Sequence, residues 1–244
     1  MVQDKNFKKL KKEVFEANIK LSSSGLVIFT FGNVSGIDRE RQVIAIKPSG
    51  VAYDKMSAED MVILSIEGNT IASKLRPSSD TKTHLELYRA FPEIGGVAHT
   101  HSRYATVAAQ AQQPITCLGT THADYFYGDI PCTEVISDDV LSRDYEQETG
   151  KLIINTFKEK KLDYKYIKAC LVACHGPFTW GKDADEAVFN AAIPEEVTLQ
   201  FCFTRLLDPA VRSIKKNLLD KHFLRKHGKD AYYGQKSNKY NFYD

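Results

Sequence analysis

Two apolar runs in this chain end in histidine: GGVAHTHS, residues 95–102, and ACLVACHGPF, residues 169–178. Apolar runs bounded by Gly and Pro read as buried strands. His99 and His101 stand two apart, and a strand's period of two puts both imidazoles on one face. Neutral imidazole suits Zn²⁺ and its borderline neighbours, and a catalytic site typically takes three protein ligands and leaves one position open. His175, at the end of the second run, is the natural third ligand, with Gly176 permitting a tight turn and Pro177 ending strand pairing. Any one of these histidines alone is more simply a hydrogen-bonded strand-end residue; three at two strand ends favour one metal ion. Cys174 falls on the opposite face by alternation and stays outside the ligand set. Asp80 reads equally as an oxygen ligand or hydrogen-bond partner of that site, or as an acidic residue facing a helix dipole.

Three polar segments supply the parts of an anion site: FGNVSG (31–36), KPSG (47–50) and RPSSDT (76–81). Small residues let backbone N–H groups approach phosphate oxygens, Ser78 and Ser79 sit at a helix start, and Lys47 adds a compact charge. Each alone could be a turn.

Around them, helix and strand patterns alternate without repeats or long linkers, which predicts one layered α/β domain. An amphipathic helix with Phe7, Leu10, Val14, Ala17 and Leu21 on its apolar side opens the chain, and Lys8, Lys9, Lys11 and Lys12 read as its solvated face. Strands are predicted at 26–30, 43–47, 61–65, 96–101 and 169–174. Helices are predicted at 79–91, 102–112, 138–160, 183–207 and 208–227, with a kink or break at Pro194. A formal charge of +2 with dispersed lysines does not describe a nucleic-acid-binding protein. No apolar run is long enough to span a membrane and the charged N-terminus lacks a signal-peptide pattern, so a soluble cytoplasmic protein is expected. Five scattered cysteines form no C-x-x-C pair and read as small buried side chains.

The set GNVSG, KPSG, SSDTKTH, HTHS, GTTHADYFYG, CHGPFTWG and LLDKHFLRKHG-KDAYYGQ resembles the class II aldolase/epimerase family from the first helix to about Gln235. The resemblance implies a three-layer α/β/α sandwich around a largely antiparallel sheet, spanning residues 1–235 ahead of a tail at 236–244. It also implies a homotetramer of fourfold symmetry with active sites between subunits. In its terms His99, His101 and His175 hold Zn²⁺, Mn²⁺ or another divalent ion, with Asp80 close by as a fourth ligand. Gly32, Asn33, Ser49, Gly50, Ser78 and Ser79 contact a sugar-phosphate substrate beside Lys47. Asp124 and Tyr233 match a proton-transfer pair, and Thr120, Glu146 and His222 match supporting positions. Tyr233 and His222 would reach the site from a neighbouring subunit. Read without the resemblance, Asp124 is a loop or cap residue and the YYGQ segment is packing or disorder.

The implied activity is epimerisation of L-ribulose 5-phosphate and D-xylulose 5-phosphate at C4, in the catabolism of arabinose, ascorbate or another pentose source. The rival on the same scaffold is an aldolase cleaving a deoxyketose 1-phosphate of the L-fuculose or L-rhamnulose type. Such aldolases carry a Glu acid/base where this chain has Asp80, whose shorter side chain falls short of the carbon to be protonated. A non-catalytic metal-binding oligomer is the other rival, and intact Asp124 and Tyr233 speak against it.

Overall fold

Alternation along short strands divides the core into two faces. In the computed structural model, which describes residues 7–233, Ile44 and Ile46 of one strand pack to one side and Val43 and Ala45 to the other. Neighbouring strands repeat the division: Val62 and Leu64 against Ile63, Val97 against Ala98, Cys170 and Val172 against Ala169 and Leu171. A sheet with two apolar faces must be covered on both. The proposed tail at 236–244 lies outside the described residues.

The strands are β1 (Asn33–Asp38), β2 (Val43–Ile46), β3 (Val62–Ser65), β4 (Thr70–Ala72), β5 (Gly96–His99), β6 (Ala169–Val172) and β7 (Gly176–Gly181). They form one sheet in the order β4-β3-β2-β1-β5-β7-β6, and every neighbouring pair is antiparallel. Helices α1 (Lys8–Ser23), α3 (Arg103–Gln110) and α7 (Ala184–Leu207) cover one face, and α2 (Thr81–Ala90) and α6 (Tyr145–Glu159) the other. The short helices α4 (Thr120–Ala123) and α5 (Asp138–Leu141) and the last helix α8 (Lys216–His227) complete the chain. This is the three-layer α/β/α sandwich expected. No described helix is long and apolar enough to cross a membrane.

Several boundaries differ from expectation, each for a local reason. Residues 26–30 form no strand; the chain turns there, and the first strand is β1, built from the GNVSG segment that composition marks as a loop. Small residues are needed because α1 presses on this strand: a Cβ on Gly36 would lie 2.8 Å from Val14 Cγ2. The 138–160 helix is two helices, since the Asp144 side chain accepts from the Gln147 backbone N–H and starts α6 afresh. The last helix begins only at Lys216, after an irregular stretch that Ile214 N–H ties to the Cys117 carbonyl. Helix α7 continues unbroken through buried Pro194. Packing against β5, β7, α1 and α3 holds it where propensity alone would interrupt it.

Lys11 is buried, not solvated, and its ammonium donates to the Glu59 carbonyl at 3.3 Å. All five cysteines are free; Cys117, Cys132 and Cys170 are buried as expected, whereas Cys174 is exposed and Cys202 half-buried.

One buried titratable group gives the fold a pH signature. Burial pushes His122 of α4 down to about 4 from an ordinary 6.5, only partly offset by its contact with the Gly128 backbone. A folded-state pKa lowered in this way contributes stability that is complete above 6.5 and lost as pH falls through about 4. Between pH 7 and pH 5 that contribution falls by about 2 kcal/mol. Urea unfolding of His122→Gln at the two pH values should therefore show a correspondingly smaller loss of stability than the parent; equal losses would contradict the assignment.

Candidate metal centre and its cleft

The two histidine-bearing segments meet because β5 pairs with β7. The register sets His99 opposite Phe178, and the Phe178 ring stacks on the His99 ring at 4.1 Å and 17°. Strand β5 ends at His99, and His101 follows just outside it. His175 sits in the turn of the β6–β7 hairpin, where Cys174 takes φ +61 and His175 N–H donates to Val172 at 3.0 Å.

The turn thus lies before Gly176, contrary to expectation, and Pro177 belongs to β7, paired with Leu171. Pro177 serves through its carbonyl, which accepts from Thr100 N–H at 3.3 Å and needs no N–H of its own for that bond. Gly176 is required for closeness: a Cβ there would lie 2.7 Å from the Thr100 carbonyl oxygen.

Donor atoms of His99, His101 and His175 all fall within 4.8 Å of one another. His99 Nε2 and His101 Nε2 are 3.1 Å apart. Two nitrogens on one tetrahedral zinc lie about 3.3 Å apart, so this pair is spaced for a shared ion. His99 Nδ1 donates to the Pro177 carbonyl at 3.0 Å, which leaves the Nε2 lone pair free for the ion. His175 Nδ1 is 3.3 Å from the Tyr145 hydroxyl. Burial and the neighbouring imidazoles push His175 down to about 3 and lower His101 as well. Both rings are therefore neutral at pH 7, the form a metal needs. The donor set fits a borderline divalent ion.

These histidines line a cleft of about 490 Å³ together with Gly32, Asn33, Lys47, Ser49, Gly50, Ser78, Ser79, Asp80 and Glu146. The ends of strands β1 and β2 and the start of helix α2 hold the polar segments in register. Ser49 N–H donates to Arg76 and Ser78 N–H to Lys47, both at 3.0 Å, so the KPSG and RPSSDT loops are stitched together. Gly32, at φ +77, is pressed to within 2.7 Å (measured to a Cβ placed on it) of the His99 carbonyl oxygen, which fixes the 31–33 segment against the histidine-bearing strand end.

Asn33 Nδ2 donates to Asp80 Oδ2 at 2.6 Å and to Ser78 Oγ at 3.0 Å, while Asn33 Oδ1 is buried without a partner. Asp80 occupies the N-cap of α2 but makes no capping bond; its carboxylate turns to Asn33 instead. Burial works against its ionisation, but the His99 and His84 rings and the Asn33 bond outweigh it and hold Asp80 below the usual carboxylate range. Lys47 is buried, with its ammonium donating to Val51 at 2.8 Å and lying 4.8 Å from the Tyr53 ring centroid. It braces the KPSG loop as well as adding charge.

The remaining expected residues form a second cluster that does not line this cleft. Asp124 follows α4 and is gripped from α8: Arg225 Nη2 donates to both of its oxygens at 2.8 Å, and His222 Nδ1 lies 3.0 Å from Oδ1. Burial of the Asp124 carboxyl is outweighed by Arg225, His222 and Lys226, which hold it below the usual range. Lys226 Nζ lies 4.3 Å, and the Arg225 guanidinium 5.0 Å, from the centre of the Tyr233 ring. Thr120 begins α4, and its carbonyl accepts from Asp124 N–H at 2.9 Å. One chain therefore presents the metal cleft and the Asp124–His222–Tyr233 cluster as separate constellations.

Sequence reasoning missed Tyr145 and Phe31, which line the cleft, and Arg225 and Lys226, which organise the second cluster. The basic pair stands in the quoted HFLRKHG segment, where helical spacing puts His222 and Arg225 on one face. Phe31 opens the quoted FGNVSG segment without being singled out by it, and nothing in the pattern marks Tyr145. Because His101 is exposed and outside the core, His101→Ala should fold normally yet lose bound metal. Metal analysis after reconstitution and gel filtration checks this; a full equivalent in the variant would contradict the ligand assignment.

Comparison with known proteins agrees with this geometry. Residues 12–200 match the family described as class II aldolase and adducin N-terminal domain. The chain is 53% identical over 228 residues to the L-ribulose-5-phosphate 4-epimerase UlaF of Salmonella paratyphi B, covering 93% of this chain and 99% of that one. An L-fuculose 1-phosphate aldolase superposes with a TM-score of 0.73 at 23% identity, over 88% of this chain and 94% of the other. The L-fuculose-1-phosphate aldolase of Thermus thermophilus does so with a TM-score of 0.64 at 22% identity, over 83% and 98%. At those identities the structures speak for the fold alone. With a family match across most of its length and a relative more than half identical over nearly all of both chains, this chain belongs to the class II aldolase family.

Proposed function

We propose that the chain interconverts L-ribulose 5-phosphate and D-xylulose 5-phosphate, as a cytoplasmic homotetramer of fourfold symmetry whose active sites lie between subunits. The observation that carries the reading is the convergence of three imidazoles in the same cleft as the stitched polar loops, in a chain 53% identical to a protein named for that epimerisation.

The chemistry accounts for the parts. C4 of the substrate carries a hydroxyl and adjoins no carbonyl, so removing its C–H proton gives an unstabilised carbanion. Breaking C3–C4 avoids this: the C4 hydroxyl loses its proton and becomes an aldehyde, and the electron pair stays with the three-carbon fragment as an enediolate. Zinc, or manganese or another divalent ion in its place, would supply Lewis-acid stabilisation of that negative charge.

His99, His101 and His175 hold the ion. Asp80, kept ionised and turned toward Asn33, serves as a further oxygen ligand or hydrogen-bond partner there. Backbone N–H groups and hydroxyls of Gly32, Asn33, Ser49, Gly50, Ser78 and Ser79, with Lys47, hold the phosphate of the two-carbon aldehyde while its carbonyl turns over. The bond then re-forms on the opposite face.

Inversion needs a proton acceptor on one face and a donor on the other. Asp124 and Tyr233 take those roles, with Thr120, Glu146 and His222 in support. Asp124 and its neighbours stand apart from the cleft within one chain, so a neighbouring subunit supplies them. The cations Arg225 and Lys226 face the Tyr233 ring from α8. Asp80, one methylene shorter than Glu and engaged by Asn33, is poorly placed to protonate the enediolate carbon, which favours epimerase over aldolase.

Metal-loaded protein given L-ribulose 5-phosphate should form D-xylulose 5-phosphate, while L-fuculose 1-phosphate should stay intact; cleavage of the latter without epimerisation would contradict the reading. Asp124→Asn should keep its metal and lose about a hundredfold or more in kcat. A shared site makes a sharper prediction. Unfolding and refolding a mixture of Asp124→Asn and His101→Ala should restore part of the activity, because some mixed sites carry neither change. No recovery would place both residues in a site within one chain.

A further inference from the structure

Phe31 lies at the lip of the metal cleft and contributes nothing to the core. It is 52% exposed and belongs to none of the hydrophobic clusters among the described residues. Apart from Pro48 and the Tyr145 ring, every other side chain lining that cleft is polar. The Phe31 ring centre is 6.2 Å from that of His101.

Its backbone is held firmly. The Tyr53 hydroxyl donates to the carbonyls of Phe31 at 3.2 Å and Gly32 at 2.9 Å, and Phe31 N–H donates to Ile28 at 3.0 Å. Gly32 is wedged against the His99 carbonyl, as described above. Phe29, 82% exposed and at φ +54, meets the Phe31 ring edge to face with centres 6.1 Å apart. The left-handed region is unusual for a bulky aromatic residue and clusters at functional sites. A clamped backbone, a strained buttress and an exposed apolar ring over a polar cleft describe a built wall, not an incidental surface residue.

We propose that Phe31 retains the cleaved aldehyde: its ring walls the cleft beside His101 and, with the neighbouring subunit across it, encloses the site, so that the two-carbon phosphate turns over without escaping and water is kept from the enediolate. This rests on the epimerase reading above. The step it suppresses is a complete retro-aldol leak, in which the C4 hydroxyl proton is lost, C3–C4 breaks, and a solvent proton adds to C3. The leak converts one L-ribulose 5-phosphate into one dihydroxyacetone and one glycolaldehyde phosphate, with no redox change. Excluding water from a reactive intermediate is a recognised task of closed sites.

The test compares metal-loaded wild type with Phe31→Ala, Phe31→Leu and Phe31→Trp. With L-ribulose 5-phosphate, phosphorus NMR follows D-xylulose 5-phosphate and free glycolaldehyde phosphate, and elemental analysis follows bound metal. Phe31→Ala should raise the ratio of free aldehyde to epimer by about tenfold or more, keep its metal, and change kcat more than KM. Leu should fall between Ala and wild type, and Trp should restore the low ratio. An unchanged ratio in Phe31→Ala, or loss of its metal, would overturn the role assigned to the ring. Wild type that makes no epimer would instead overturn the proposed function, and this inference with it.

Discussion

The pairing of β5 with β7, and the hydrogen bond it creates between His99 Nδ1 and the Pro177 carbonyl, is the constraint on which the site depends. Antiparallel pairing sets the end of one histidine-bearing strand against the start of another. The bond to Pro177 then fixes the His99 tautomer and ring plane, and Phe178 packs on that ring from behind. Gly176 allows the hairpin to approach the 99–101 segment closely enough for His175 to complete the set. Shift that register by one residue and every side chain on the strand changes face, so the core and the histidine cluster share one determinant.

The same economy extends to the polar loops. Strand β1 neighbours β5, so Asn33 at its start lies opposite His99, and its amide reaches Asp80 and Ser78 from α2 and the loop before it. The three histidines and the polar loops are thus two ends of one hydrogen-bonded assembly. The sheet supplies rigidity, while the residues that would meet substrate sit on the loops at its edge, a common division of labour in enzymes.

What could be read from the sequence was whatever the chemistry restricts to few residue types. Three histidines at strand ends stand out because few other residues do that work, and alternating helix and strand patterns point to a layered α/β domain, while the three layers and the antiparallel sheet came from the family resemblance. The GNVSG segment misled because its small polar residues are the usual marks of a loop. Here they make room for α1 on one face, and Ser35 bonds both His84 and Tyr88 on the other. Pro177 misled because its missing N–H matters only where a donor is needed. Tyr145 left no trace in any pattern, and Phe31 stood in the quoted FGNVSG segment without being singled out, since the importance of both comes from long-range contacts. Arg225 stood in a quoted motif, yet only the fold shows its guanidinium gripping Asp124 and facing the Tyr233 ring.

The central claim is that one ion, held by three imidazoles, sits opposite acid–base groups from another copy of the chain. Anomalous diffraction at the metal edge from crystals of the loaded protein measures both parts at once. The account predicts a single anomalous peak within bonding distance of His99, His101 and His175, with Asp124 and Tyr233 of an adjacent subunit facing it across the cleft. A peak elsewhere, or a cleft that no neighbouring subunit approaches, would contradict it.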